Sequence, residues 1–210
     1  RKIEKPLDAQ YMGWLSGNDI LLLRSDWNVR GEIFKAGSLI AIQPIVGAQP
    51  KTIFQPGPRQ SIDNVEQTKD ALIVSYLDTV QGKIGRAFLR DGVWVMETLP
   101  FPEHGTLGIS SVDPYGELVL TNFENFLSPS SVLMALIGLD KKAAEIKPEP
   151  LKSIPARFDA SHFKVEQLWA GSKDGTLVPY YFVSNKNIKA DGKTPVLIYG
   201  YGGFEISQTP

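Results

Sequence analysis

The chain has 210 residues, a formal net charge of −1 and no cysteine. Near-neutrality without Lys or Arg runs provides no basic face for nucleic acid and no pull toward an anionic membrane surface, and the absence of cysteine excludes disulfides, thiolate catalysis and Cys-based metal sites. With 42% hydrophobic residues, 19 Gly and 15 Pro, the composition describes a globular core of short elements joined by many turns.

Taken in chain order, the predicted elements are short strands bounded by turn residues. Residues 20–24 form an aliphatic run behind Gly17-Asn18-Asp19, and 38–42 form another. Residues 71–77 follow Thr68-Lys69-Asp70, and 87–89 and 93–98 flank Arg90-Asp91-Gly92, where Asp-Gly is a strong hairpin signal. Residues 107–112 and 117–121 flank Asp113-Pro114-Tyr115-Gly116, which suits a type I turn. Residues 131–139 close the series. Three of these strands share one form, a polar turn, an acid and an aliphatic run, with the acids at 19, 70 and 117, hence 51 and 47 residues apart. A β unit recurring at roughly 40–50 residues has the spacing of propeller blades, each burying its faces against its neighbours. Taken alone, the pattern also fits a β-sandwich or a set of hairpins.

Residues 141–155 hold Pro148, Pro150 and Pro155 and read as the exit from the last blade and a linker, with a helical turn at 141–146. Beyond it, 163–170 and 178–184 are strands around Ser172-Lys173-Asp174-Gly175-Thr176. Residues 195–199 are a fully apolar run, expected as a strand buried on both faces. It leads directly into Gly200-Tyr201-Gly202-Gly203-Phe204.

The only histidines, His104 and His162, have no carboxylate at ligand spacing and read as surface residues, so no metal is expected. Gly-x-Ser-x-Gly does not occur; Gly108-Ile109-Ser110-Ser111 lacks the closing glycine and falls in a blade strand, so the chain supplies no nucleophile. Asp63, Glu66 and Asp70 read as a solvated turn, and Trp14, Trp27, Trp94 and Trp169 as core or blade-contact aromatics. In the loop at 199–204, Gly202 and Gly203 permit a left-handed backbone and close approach, and the Tyr201 hydroxyl is the type of donor that stabilises a developing oxyanion. A structural glycine turn packed by two aromatics fits the same residues.

Lys173-Asp174-Gly175-Thr176, Val178-Pro179-Tyr180, the stretch Pro195-Val196-Leu197-Ile198-Tyr199-Gly200-Tyr201-Gly202-Gly203-Phe204, Ile206-Ser207 and Thr209-Pro210 resemble the prolyl oligopeptidase family of serine peptidases. Upstream, Val65-Glu66-Gln67-Thr68-Lys69-Asp70, Phe126-Leu127-Ser128-Pro129-Ser130-Ser131 and Phe158-Asp159-Ala160 resemble its bacterial members. The resemblance implies a mainly β chain: part of a seven-bladed β-propeller over residues 1–158, then the first strands of an α/β-hydrolase domain over 159–210. It implies Tyr201 as an oxyanion-hole donor, Phe204 as a substrate-pocket aromatic, and a nucleophile, acid and base outside this chain. The implied substrates are short peptides admitted past the propeller, without a cofactor. The chain by itself is then expected to be inactive and to self-associate through exposed blade edges. A propeller binding module, or a homologue without its triad, is the alternative. A Cys-free chain suits cytoplasm or periplasm, with the cytoplasm favoured. The chain starts at Arg1 without an apolar leader, so both ends are expected to be cuts in a longer protein.

Overall fold

In a computed structural model of the chain, residues 4–189, 191–203 and 208–210 are described. Three four-stranded antiparallel sheets follow one another along the sequence. The first holds β1 (Gln10–Leu15), β2 (Asn18–Leu22), β5 (Leu39–Ile42) and β6 (Lys51–Phe54), with a small hairpin, β3 (Trp27–Val29) and β4 (Glu32–Phe34), inserted between β2 and β5. The second holds β7 (Gln60–Gln67), β8 (Leu72–Asp78), β9 (Gln81–Arg90) and β10 (Val93–Thr98). The third holds β11 (Thr106–Val112), β12 (Leu118–Glu124), β13 (Ser131–Leu136) and β14 (Glu149–Ser153). A two-stranded hairpin, β15 (Phe163–Gly171) and β16 (Leu177–Asn185), comes last.

Each sheet is a meander in sequence order, and the three repeated acids mark the same place in each, at or just before its second strand. The expected unit is therefore present. Both hairpin signals act as predicted. Asp91 and Gly92 take left-handed φ values of 51° and 77° in a two-residue turn, and the Gly116 N–H donates to the Asp113 carbonyl.

The apolar core lies between sheets. Along β8, Leu72, Val74 and Tyr76 point into a cluster with Leu15, Ile20, Leu22, Leu39 and Ala41 of the first sheet. Ile73 points the other way, into a cluster with Leu107, Val119, Phe123, Leu133 and Ala135 of the third. Period-two alternation thus divides one strand between two interfaces, which is why β8 reads as a continuous apolar run. On the first sheet's other face, Leu23 and Ile40 pack with Phe34 beneath Trp27 and Val29, so the β3–β4 hairpin roofs that face. The third sheet's other face carries Leu118 beside Leu136 and Leu120 beside Met134 in register, and Leu136 is 52% exposed.

Two expectations need correction here. Residues 141–155 are not a linker throughout. The 3-10 turn at Ala143–Glu145 agrees with the helical turn expected, but Glu149–Ser153 is β14, the outermost strand of the third sheet. Pro150 is tolerated because an edge strand has one side free of ladder bonds. Asp63 and Glu66 are solvated as expected, yet they lie on β7 rather than in a turn, with Asp63 at a register shift between Ile62 and Asn64.

Candidate active site

In each sheet the link between second and third strands emerges at the edge where the chain also crosses to the next sheet. That edge gathers Arg59, the Thr79-Val80 turn, Gly105 and Phe126. The sheets approach closely there: the Gly82 N–H donates to the Gly105 carbonyl at 3.1 Å, and a Cβ on Gly82 would sit 2.6 Å from the Leu107 nitrogen.

The β15–β16 hairpin seats on this edge. Gln167 Nε2 donates to the Thr79 carbonyl at 2.7 Å, and the Tyr181 hydroxyl donates to the Val80 carbonyl at 3.3 Å. Gln81 Nε2 donates to Gln167 Oε1, and Gln81 Oε1 accepts from the His104 N–H at 3.3 Å. Phe126 packs against Tyr181 with ring centroids 5.8 Å apart, and the Arg59 guanidinium lies 4.6 Å from the centre of the Trp169 ring. Burial pushes the Tyr181 phenol up to about 12, so it stays a donor at neutral pH. The turn that receives these donors holds Thr79 at φ 51° and Val80 at φ 58°. A non-glycine residue held in this region costs about 1–3 kcal/mol, and β-branched residues enter it least readily.

The loop singled out in the sequence follows the hairpin. Residues 195–199 are not the buried strand expected: none is in a strand, Val196 is 73% exposed and Leu197 94%. A strand needs a ladder partner, and among the described residues none pairs with this segment. Tyr201 is half-exposed (49%). Its hydroxyl folds back over Gly203, 3.0 Å from where a Cβ would be. Neither Gly202 nor Gly203 uses the left-handed φ open to it. Phe204 lies outside the described residues. Beyond it, the Thr106 N–H and hydroxyl both donate to the Pro210 carbonyl, at 3.1 and 2.8 Å, and the Thr106 hydroxyl meets that of Thr209 at 2.7 Å. Tyr201 therefore sits on a segment tethered on one side, through the hairpin, to the second sheet and on the other to the third.

The other residues flagged in the sequence stay apart from this segment. His162 faces Asp159 at 3.7 Å with both side chains exposed, and His104 is exposed at φ 55°. Among the described residues no group of three or more His, Asp or Glu side chains has the arrangement of a metal site. Sequence reasoning missed Gln81, Gln167 and Tyr181. A glutamine in a strand carries no signal of its own, and Tyr181 is hidden among Tyr180 and Phe182.

No family model matches the chain. An uncharacterized peptidase of Sinorhizobium fredii is 36% identical over 219 residues, covering the whole chain and 29% of the relative. The structure of a post-proline cleaving enzyme from Rickettsia typhi superposes with a TM-score of 0.75 at 29% identity, over the whole chain and 30% of that protein. Prolyl oligopeptidase A of Galerina marginata is 52% identical over 53 residues, a quarter of the chain and 7% of the relative. By sequence and by fold, the chain is a relative of the prolyl oligopeptidases. Its three four-stranded sheets are β-propeller blades, as in the prolyl oligopeptidases whose structures it matches. It spans 29% of the length of the curated peptidase of Sinorhizobium fredii.

Proposed function

We propose that the chain is part of a serine-type peptidase of the prolyl oligopeptidase kind that hydrolyses short peptides. On this reading residues 1–158 are blades of a seven-bladed propeller, and 159–210 open the α/β-hydrolase domain. Tyr201 supplies one oxyanion donor, Phe204 lines the substrate pocket, and the nucleophile, acid and base lie outside the chain. The observation that carries the reading is likeness over the whole chain to a post-proline cleaving enzyme, in sequence and in backbone together.

The chemistry assigned to Tyr201 is electrostatic. As a hydroxyl attacks the scissile carbonyl, charge builds on its oxygen, and a fixed phenolic O–H stabilises that charge more than it stabilises the ground-state carbonyl. Tyr201 is half-exposed, with its hydroxyl over Gly203. A propeller over the site would admit short peptides and exclude folded proteins.

The test assays the 210-residue chain and the longer protein that contains it against a short proline-containing chromogenic peptide, with a serine-directed phosphonate as probe. The expected result is turnover and labelling of the longer protein alone. In that protein, Tyr201→Phe should lower kcat by about 10²–10³ and leave phosphonate labelling measurable. If the longer protein neither turns over nor labels, the peptidase reading is wrong and a binding role takes its place. Turnover with full activity in the Phe variant would remove Tyr201 from the oxyanion hole.

A further inference from the structure

The turn between β8 and β9 departs from a local rule. A two-residue hairpin loop of the type I′ form has left-handed backbone at both positions, which Asn-Gly or Asp-Gly ordinarily fills. The β9–β10 turn of the same sheet conforms, with Asp91 and Gly92. The β8–β9 turn instead places Thr79 at φ 51° and Val80 at φ 58°, with Asp78 paired to Gln81 across it. Both are β-branched, the side chains least suited to that backbone. Such a conformation persists where its surroundings over-determine it.

Two of the groups that hold this turn come from one distant segment. Gln167 and Tyr181, on facing strands of the β15–β16 hairpin, donate to the carbonyls of Thr79 and Val80 respectively. The Thr79 N–H donates to the Arg59 carbonyl at 2.9 Å, and the Arg59 guanidinium stacks on Trp169 of the same hairpin. Gln81, the next residue, bonds to Gln167 as well.

We propose that the Thr79-Val80 turn is a strained latch for the hairpin Phe163–Asn185. Docking of Gln167 and Tyr181 stabilises the left-handed turn, and release of the hairpin lets the turn relax to a conformation its β-branched residues prefer. Turn and hairpin are then one two-state element. An ordinary packing contact would behave otherwise, because the turn would keep its shape whether or not the hairpin were seated. The latch stands at one tether of the segment carrying Tyr201, and the Thr106 contact with Thr209 and Pro210 stands at the other. Releasing the latch would shift the start of that segment while its end stayed in place. None of this depends on the peptidase reading, since every group named belongs to the fold.

Amide hydrogen exchange on the full chain, read by mass spectrometry, tests the coupling in both directions. Gln167→Ala combined with Tyr181→Phe removes both donors. Exchange over 163–185 should rise roughly tenfold, and exchange at 79–82 should rise with it. Thr79→Asn combined with Val80→Gly makes the left-handed turn intrinsic and keeps both carbonyl acceptors. Exchange over 163–185 should then slow several-fold, on the order of fivefold, because docking no longer has to impose the turn. Two outcomes would overturn the proposal: the Asn-Gly variant leaving hairpin exchange within about twofold of the parent, or loss of the two donors exposing the hairpin while residues 79–82 stay protected. The Asn-Gly pair introduces the turn's preferred residues, so this arm remains informative even if the donor-deleted variant unfolds.

Discussion

Tyr181 shows how one residue ties protonation to packing. Its phenol donates to the Val80 carbonyl and titrates at about 12 instead of 10.0, because burial penalises the phenolate. In the released chain the phenol loses its proton near pH 10, whereas the docked phenol keeps it to about 12. Between those values the released form binds fewer protons, so raising the pH favours release. The stabilisation is therefore complete below about pH 10 and lost between 10 and 12. Hairpin exchange, corrected for the intrinsic base-catalysed rate, should rise across that window in the parent and stay flat in Tyr181→Phe. A matching rise in the Phe variant would assign the transition to another group. Tyr201 was singled out in the sequence by its glycine setting and by the family resemblance, whereas Tyr181 was not, since its contacts lie at a turn some 100 residues away.

Strands were legible in proportion to their burial. The central strands β2, β5, β8, β12 and β13 all appear as apolar runs, because each turns side chains into an interface. The missed strands are β3 and β4 of the small hairpin and the sheet edges β1, β6, β7 and β14, of which β7 buries only Val65, whereas the edges β10 and β11 were found from the turns beside them. An edge strand is held by its ladder more than by its side chains, so its sequence carries little pattern. A different element-scale feature went unread: Arg86 stands within the run Ile84-Gly85-Arg86-Ala87-Phe88. Its side chain is fully buried, and its guanidinium meets Glu97 at 2.8 Å. It also donates to the carbonyls of Ile137, Gly138 and Lys141 at 3.1, 2.6 and 2.6 Å. One side chain of the second sheet thus satisfies the backbone that leaves β13 in the third. Arg86→Met would leave three carbonyls and a carboxylate without their donor, and should destabilise the chain by about 3–5 kcal/mol. Arg86→Lys should recover part of that loss, because an ammonium restores the charge without the planar fork. Urea midpoints at constant slope would measure both, and a Met variant within about 1 kcal/mol of the parent would show that the clamp contributes little net stability.

Across the whole molecule, the core lies between neighbouring sheets, so the second sheet depends on both others and the outer two each depend on one. This arrangement made the repeat visible in sequence, since every blade must present the same apolar second strand to its neighbour. It also hid the order and closure of the blades, which are set by contacts that no single blade encodes.

The β3–β4 roof leaves the molecule with two unlike ends. The first sheet's outer face is covered by its own hairpin, while the third sheet's outer face presents Leu118, Leu120, Met134 and Leu136. The hairpin end exposes Ile33 and Val46 but breaks up the flat sheet face beneath it, so the open patch of the third sheet finds its best match in a second copy of itself. Association of the 210-residue chain should therefore proceed through two copies of the same patch about a two-fold axis and stop there. Sedimentation should reveal a dimer that Leu136→Lys returns to monomer, with no larger species as concentration rises. A ladder of higher oligomers would instead mean that the roof lifts.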